Sequence, residues 1–332
     1  MDALILRIIA VRSQMTTQFL SNTELVGIRN VTSVVCQEED KFGWEKGYGY
    51  QITTQETSSE PEAVYFVLDT HNQNAFAHWV FENFVYLPLY FQVKQLHPSC
   101  KIVLYEPKDY KYLFLEHAGV SREDIVDRTA VDFQYQTLAN EPLQSPPCKP
   151  NCVYFHPYVS LNQQFLQEFH CQQVLAYHQY IQQLPLDKTL PILYLPRGEK
   201  ENFAGLDRRY VIQPHCKQWV EAMRGMIFET DGNTSLANQI QLVRSAKILL
   251  CDYGSNLWVN GFFSQGAHLV FLNIGWKQEQ RFPYYNFLYN LIASHNKSMT
   301  NLMAYSVDSS VSPNLVYHSF EQVKQILRQK ST

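Results

Sequence analysis

The sequence predicts an α/β protein made of two doubly wound layers, each with buried strands alternating with amphipathic helices. Three observations carry that expectation. Short apolar runs such as Ala63-Val64-Tyr65-Phe66-Val67-Leu68 and Leu249-Leu250-Cys251 read as strands covered on both faces. Stretches with helical spacing lie between such runs. Polar or glycine-containing loops follow the strand ends, where open α/β sheets bind their ligands. A chain of 332 residues has room for two domains of ordinary size.

Taken in order, Ala3 to Val11 is an apolar run that carries Arg7. It is far shorter than the ~20 apolar residues of a membrane span, and no small-residue cleavage site follows it. It reads as a buried strand, so a cytoplasmic protein with no transmembrane segment is expected. Residues 23–55 read as short β segments, with a hairpin from Phe42-Gly43-Trp44 to Gly47-Tyr48-Gly49-Tyr50. The strand at 63–68 leads into a polar loop from Asp69 to Asn74. Residues 75–96 then show helical spacing, with Phe76, Val80, Phe84, Leu87 and Phe91 on one side and a kink expected at Pro88. A strand at 101–105 and a helix from Tyr110 to Ala118, stopped at Gly119, continue the rhythm. Residues 140–152, broken by Pro142, Pro146, Pro147 and Pro150, read as loop. Ser160 caps a predicted helix reaching Leu184, and 185–189 read as a linker.

The second half repeats the pattern. Strands are expected at 192–195, 226–228, 247–252 and 268–272, and helices at 215–224, 235–245 and 256–263. A last helix at 320–328 is expected to pack back on the first domain. The predicted division is 1–185, 186–310 and 311–332.

Composition excludes some functions. A net charge of −4 argues against nucleic acid as a main partner, since phosphate contacts need clustered Lys and Arg. The 21 Tyr and 20 Phe serve either core packing or stacking on a sugar. Seven scattered cysteines suit reduced thiols better than a disulfide framework. Glycosylation sequons at Asn30, Asn233 and Asn296 are read as accidental without a leader.

Two constellations carry chemistry. In the first half, His78 and Glu82 are one helical turn apart and share a face. Either is a general-base candidate, and His71 in the preceding loop is another. Glu82 sits among Phe81, Phe84 and Tyr86, where an idle carboxylate is costly to bury. In the second half, Arg197 follows a predicted strand and Arg208-Arg209 lie across a glycine-containing loop. Guanidinium groups bind diphosphate through bidentate, permanently charged hydrogen bonds. Tyr253-Gly254-Ser255-Asn256 turns from a strand into a helix start, which offers backbone N–H groups to an anion. Ser235 closes Asp231-Gly232-Asn233-Thr234-Ser235 at another helix start, to cap it or to touch a ribose or base. Taken singly, each has a plain structural alternative: a surface ion pair for either arginine position, a helix cap for Ser235, and a satisfied structural role for His78 or Glu82.

Other signals are absent or weak. There is no Asp-x-Asp for a sugar-nucleotide metal, no Walker A, no G-x-G-x-x-G and no G-x-S-x-G. Cys148, Cys152 and His156, with Cys171, could hold zinc; their proline-rich setting favours plain loop cysteines.

The chain resembles glycosyltransferase family 61, the group with plant xylosyl- and arabinosyltransferases and animal O-linked N-acetylglucosaminyltransferases. The match runs over roughly residues 60–275. It rests on Asn74, His78 and Glu82 at four-residue spacing, Arg197 with Arg208 or Arg209, Leu236, Gln239 and Ala246, then Tyr253-Gly254-Ser255-Asn256-Leu257, Asn260 and Phe262. Tyr253 stands where the family has histidine, and Asn256 where it has its second glycine. The resemblance implies a GT-B-like architecture, two Rossmann-like domains facing a central cleft. It implies an inverting transferase with no cofactor or metal, a UDP-sugar donor (UDP-xylose first) and an oligosaccharide or glycoprotein acceptor. Glu82 would be the base, oriented or replaced by His78. Arg197, Arg208, Arg209, Ser235 and the 253–256 turn would hold the nucleotide. The rival from another class is a carbohydrate- or nucleotide-binding protein that kept this fold without catalysis.

Overall fold

The structure is a computed structural model. It describes residues 7–9, 16–18, 25–38, 48–55, 59–69, 76–136, 149–156, 172, 189–196, 213–229, 236–252, 260, 264, 267–274 and 299–304. It is mixed α/β with parallel sheets, and it divides into two compact units, Met1–Ile181 and Gln182–Thr332. The predicted helices at 160–184 (but for Gln172), 256–263 (but for Asn260) and 320–328, residues 185–188 of the predicted linker and residues 42–47 of the predicted hairpin lie outside the described residues.

The first unit is built on a six-stranded sheet in the order β1-β3-β10-β6-β7-β8. These strands are β1 (Arg7–Ile9), β3 (Val26–Arg29), β6 (Ala63–Val67), β7 (Lys101–Leu104), β8 (Ile125–Asp127) and β10 (Asn151–Phe155). The last four run parallel, and β3 pairs antiparallel to β10. The chain winds outward from β6 through β7 to β8, then returns to the other side of β6 as β10. That reversal makes β6/β10 the topological switch point, where ligands of open α/β sheets bind.

Alternation along the strands assigns the two faces. Tyr65, Val67, Val153 and Phe155 join a core with Val31, Val34, Tyr50 and Ile52 from a second sheet. That second sheet has the order β2-β5-β4-β9, with β2 (Thr16–Gln18), β4 (Val31–Glu38), β5 (Tyr48–Thr54) and β9 (Gln134–Gln136). On the other face Phe66 meets Tyr90 edge-on. One face of this unit is therefore closed by a sheet, where a doubly wound layer would place helices. The cause is local: the β-rich segment 16–54 has alternating rather than helical patterning. The antiparallel partner of Tyr48–Tyr50 is Cys36–Glu38, further upstream than the predicted hairpin places it.

The predicted helix at 75–96 is three pieces. These are α1 (Phe76–Glu82), a 3-10 turn at Phe84–Tyr86 and α2 (Leu87–Leu96). The break falls at Asn83, not at Pro88. Pro88 sits in the first turn of α2, where its missing N–H costs nothing. Then α3 (Asp109–His117) ends on Gly119 at φ 90°, with the Val120 amide donating to the Leu115 carbonyl at 2.9 Å.

The second unit contains a parallel sheet in the order β12-β11-β13-β14-β15. Its strands are β11 (Leu190–Leu195), β12 (Met226–Ile227), β13 (Ala246–Asp252), β14 (His268–Ile274) and β15 (Met299–Ala304). Two helices are described, α4 (Gln213–Ala222) and α5 (Leu236–Ser245). Counted within the unit, the order is 2-1-3-4-5, the flavodoxin-like doubly wound order, with its switch point between β11 and β13. Leu249, Leu250 and Cys251 are fully buried, as their continuous apolar run requires.

Gly225 joins α4 to β12, and its amide donates to the Val220 carbonyl at 2.8 Å. A Cβ there would lie 2.7 Å from Val220 Cγ1 and 2.9 Å from the Ile192 carbonyl oxygen. The carbonyl belongs to a central strand and cannot move aside. Gly225→Ala is expected to destabilise the second unit by about 1–3 kcal/mol. A lowered urea midpoint checks this; an unchanged midpoint contradicts the packing.

Candidate functional site

In the first unit the switch point is dominated by Asp69, two residues past β6. The sequence places Asp69 in a polar loop; in the structure it is fully buried. Its carboxylate accepts three hydrogen bonds from three elements: Trp79 Nε1 of α1 at 2.6 Å, Lys111 Nζ of α3 at 2.6 Å and the Tyr105 amide past β7 at 3.0 Å. Its backbone carbonyl accepts from the Tyr135 hydroxyl. Burial pushes the Asp69 carboxyl up, and Lys111 and the two N–H donors oppose that. Burial likewise lowers the Lys111 ammonium, opposed by Asp69. These contacts fix where the chain leaves for residues 70–75. Where it re-enters, Phe76 packs edge-on against Tyr110 and Phe114.

His156, directly after β10, stands on the other side of the switch point. Its ring stacks on Tyr86 with centroids 4.1 Å apart, and its Nε2 donates to the Leu68 carbonyl at 3.1 Å. Glu82 closes α1 at only 8% exposure, one turn before Tyr86. Burial, with the charge of Glu82 beside it, holds the Tyr86 phenol well above its ordinary value. Glu82, Tyr86 and His156 thus form one buried polar and aromatic group. The backbone of His78 belongs to α1; its side chain lies outside the described residues, as do His71 and Asn74.

The zinc alternative fails on geometry. Cys152 lies inside β10 and His156 just past its end, four residues on along an extended chain, about 13 Å apart at Cα. Both cannot ligate one ion. Cys148 and Cys171 lie outside the described residues. Cys36, Cys100, Cys152, Cys216 and Cys251 are buried free thiols. Burial pushes the Cys36 and Cys100 thiols up to about 12, which leaves them inert at neutral pH. No cluster of metal-ligating side chains occurs among the described residues.

In the second unit the chain leaves β11 through Leu195-Pro196 and leaves β13 at Asp252. Leu195 is in register with Cys251, so both strands end at one level. The residues that follow are Arg197 on one side and Tyr253-Gly254-Ser255-Asn256 on the other. Those five, with Arg208, Arg209 and Ser235, lie outside the described residues, but the strands that lead into Arg197 and into residues 253–256 border the switch point directly. Beneath it, Asp252 is buried and accepts from the Tyr194 hydroxyl at 2.9 Å. Gln239 of α5 donates from Nε2 to Asn260 Oδ1 at 2.8 Å, with both side chains buried. Sequence reasoning assigned no site role to Asp69, Lys111, Asp252, Gln239 or Asn260. A carboxylate that directly ends a strand run, as at Asp69 and Asp252, is the signal that was available.

The fold defines a protein with two α/β units, each with a switch point at the carboxyl ends of parallel strands. Comparison with known proteins adds little to that class. No family model matches the chain, and no curated protein matches it. Among solved structures the chain is similar to an E. coli heptosyltransferase, WaaC with ADP. The identity is 11% and the TM-score 0.38, over 78% of this chain and 99% of that one. Among the described residues no helix is long and apolar enough to cross a membrane.

Proposed function

We propose that this chain is a glycosyltransferase that moves a sugar from a UDP-sugar to a hydroxyl of a glycan or glycoprotein, with inversion and without a metal. Xylose is the first choice of sugar. The observation that carries the reading is the 2-1-3-4-5 sheet of the second unit, whose switch point is bordered by the strands leading into Arg197 and into Gly254-Ser255. Guanidinium groups and turn amides there would stabilise the diphosphate as its negative charge develops. A general base takes the proton from the acceptor hydroxyl. The hydroxyl oxygen bonds to the anomeric carbon as the bond from that carbon to the diphosphate oxygen breaks, and UDP leaves. Glu82 is the preferred base, with His71 and His78 as the other candidates.

The test is a panel of UDP-xylose, UDP-N-acetylglucosamine, UDP-glucose and GDP-sugars. Thermal shift selects the donor, since a ligand that binds only the folded state raises Tm. UDP release and product mass then report transfer. A second reading is motivated by Tyr253 and Asn256, which replace the histidine and second glycine of the resembled motif. In that reading the chain binds a nucleotide or carbohydrate without turnover, and the same panel gives a thermal shift but no release of UDP.

A further inference from the structure

Asn260 is fully buried and lies between β13 and β14, eight residues past Asp252. Its Oδ1 accepts from Gln239 Nε2 at 2.8 Å. The amide of Asn260 thus sits with its oxygen toward Gln239. With Oδ1 turned to Gln239, the Nδ2 group points elsewhere, and among the described residues it has no hydrogen-bond partner. Buried side-chain donors are nearly always paired, and an orphan of this kind calls for an explanation. Gln239 lies in the first turn of α5, which follows β12, and Asn260 lies eight residues past the end of β13. Both therefore belong to segments that begin at the carboxyl edge of this sheet, beside its switch point.

We propose that Asn260 is a ligand-binding residue whose Nδ2 donates to a phosphate oxygen of the bound nucleotide, and that Gln239 is the positioning residue holding the amide that way round. The inference rests on the nucleotide reading above. The chemistry is matched: the unpartnered end of the amide offers donors only, and diphosphate oxygens are acceptors only. Gln239 uses its own donor to occupy the one acceptor of Asn260, so no acceptor of that side chain faces the anion.

The test is calorimetric titration of UDP into the full chain, with the Tm of each variant measured without ligand. Asn260→Asp keeps the side-chain size and still accepts from Gln239, but turns a carboxylate oxygen toward the phosphate. UDP affinity is expected to fall about tenfold or more. Gln239→Glu reads the same device from the other side. Its carboxylate draws the Asn260 Nδ2 away from the ligand, so affinity falls while Asn260 is unchanged; this variant decides the matter if Asn260→Asp does not fold. UDP binding at wild-type affinity in both folded variants overturns the assignment while leaving the nucleotide reading standing. A wild-type chain that binds neither UDP nor inorganic pyrophosphate overturns both.

Discussion

Lys111→Met is expected to destabilise the first unit by about 3–5 kcal/mol, because it leaves the Asp69 carboxylate buried without its cation. For a unit of this size that lowers Tm by on the order of 6–20 °C. The argument rests on the contacts of Asp69, which is fully buried and lies 2.6 Å from both Lys111 Nζ and Trp79 Nε1. A buried pair adds little beyond an apolar pair of the same shape, but half of one is costly. The double variant Asp69→Asn with Lys111→Met removes both charges and keeps an acceptor for the indole N–H. It is expected to recover much of the loss, and a double-mutant cycle measures the coupling. Circular dichroism melts of the four proteins check this. A single variant melting like wild type contradicts the picture of Asp69 as a hub joining β6, α1, α3 and the end of β7.

Glu82→Gln is expected to lower the turnover of UDP-sugar transfer by about 10²–10⁴-fold, the range for loss of a general base. UDP affinity should stay unchanged, because a general base acts on the acceptor hydroxyl and not on the nucleotide. The substitution keeps size and shape at a position with 8% exposure, so the fold should tolerate it. Turnover and KM for UDP-xylose, with a separate UDP titration, distinguish a chemical role from a binding one. Full turnover in this variant removes Glu82 from the mechanism and moves the question to His71 and His78.

Much of the second unit was legible in the sequence. The strands at 192–195, 247–252 and 268–272 are mostly apolar runs of the kind expected for strands covered on both faces. The strand order was not legible, because it depends on crossover lengths and pairing partners that no local pattern encodes. In the first unit β10 was missed because Pro146, Pro147 and Pro150 drew the loop reading as far as residue 152; the run Cys152-Val153-Tyr154-Phe155 was its signal. β8 and β9, at three residues each, are too short to show a period. The helix break at Asn83 was assigned to Pro88, since proline breaks helices in their interior but not in their first turn. The Asp69–Lys111 pair joins residues 42 positions apart, so only the fold brings them together. Gln239 and Asn260 entered through resemblance alone, and their hydrogen bond became visible only in the structure. Phe76, Trp79, Phe84, Tyr110 and Phe114 form one packed cluster, which answers for those rings the choice between core and sugar platform.

The most direct measurement is a calorimetric titration of UDP into wild type and Arg197→Ala with a metal chelator present. The account predicts that wild type binds UDP under chelation and that the variant binds it at least about tenfold more weakly, the loss expected when a charge-assisted hydrogen bond is removed. Equal affinity in the two proteins, or binding that appears only when a divalent cation is restored, would contradict it.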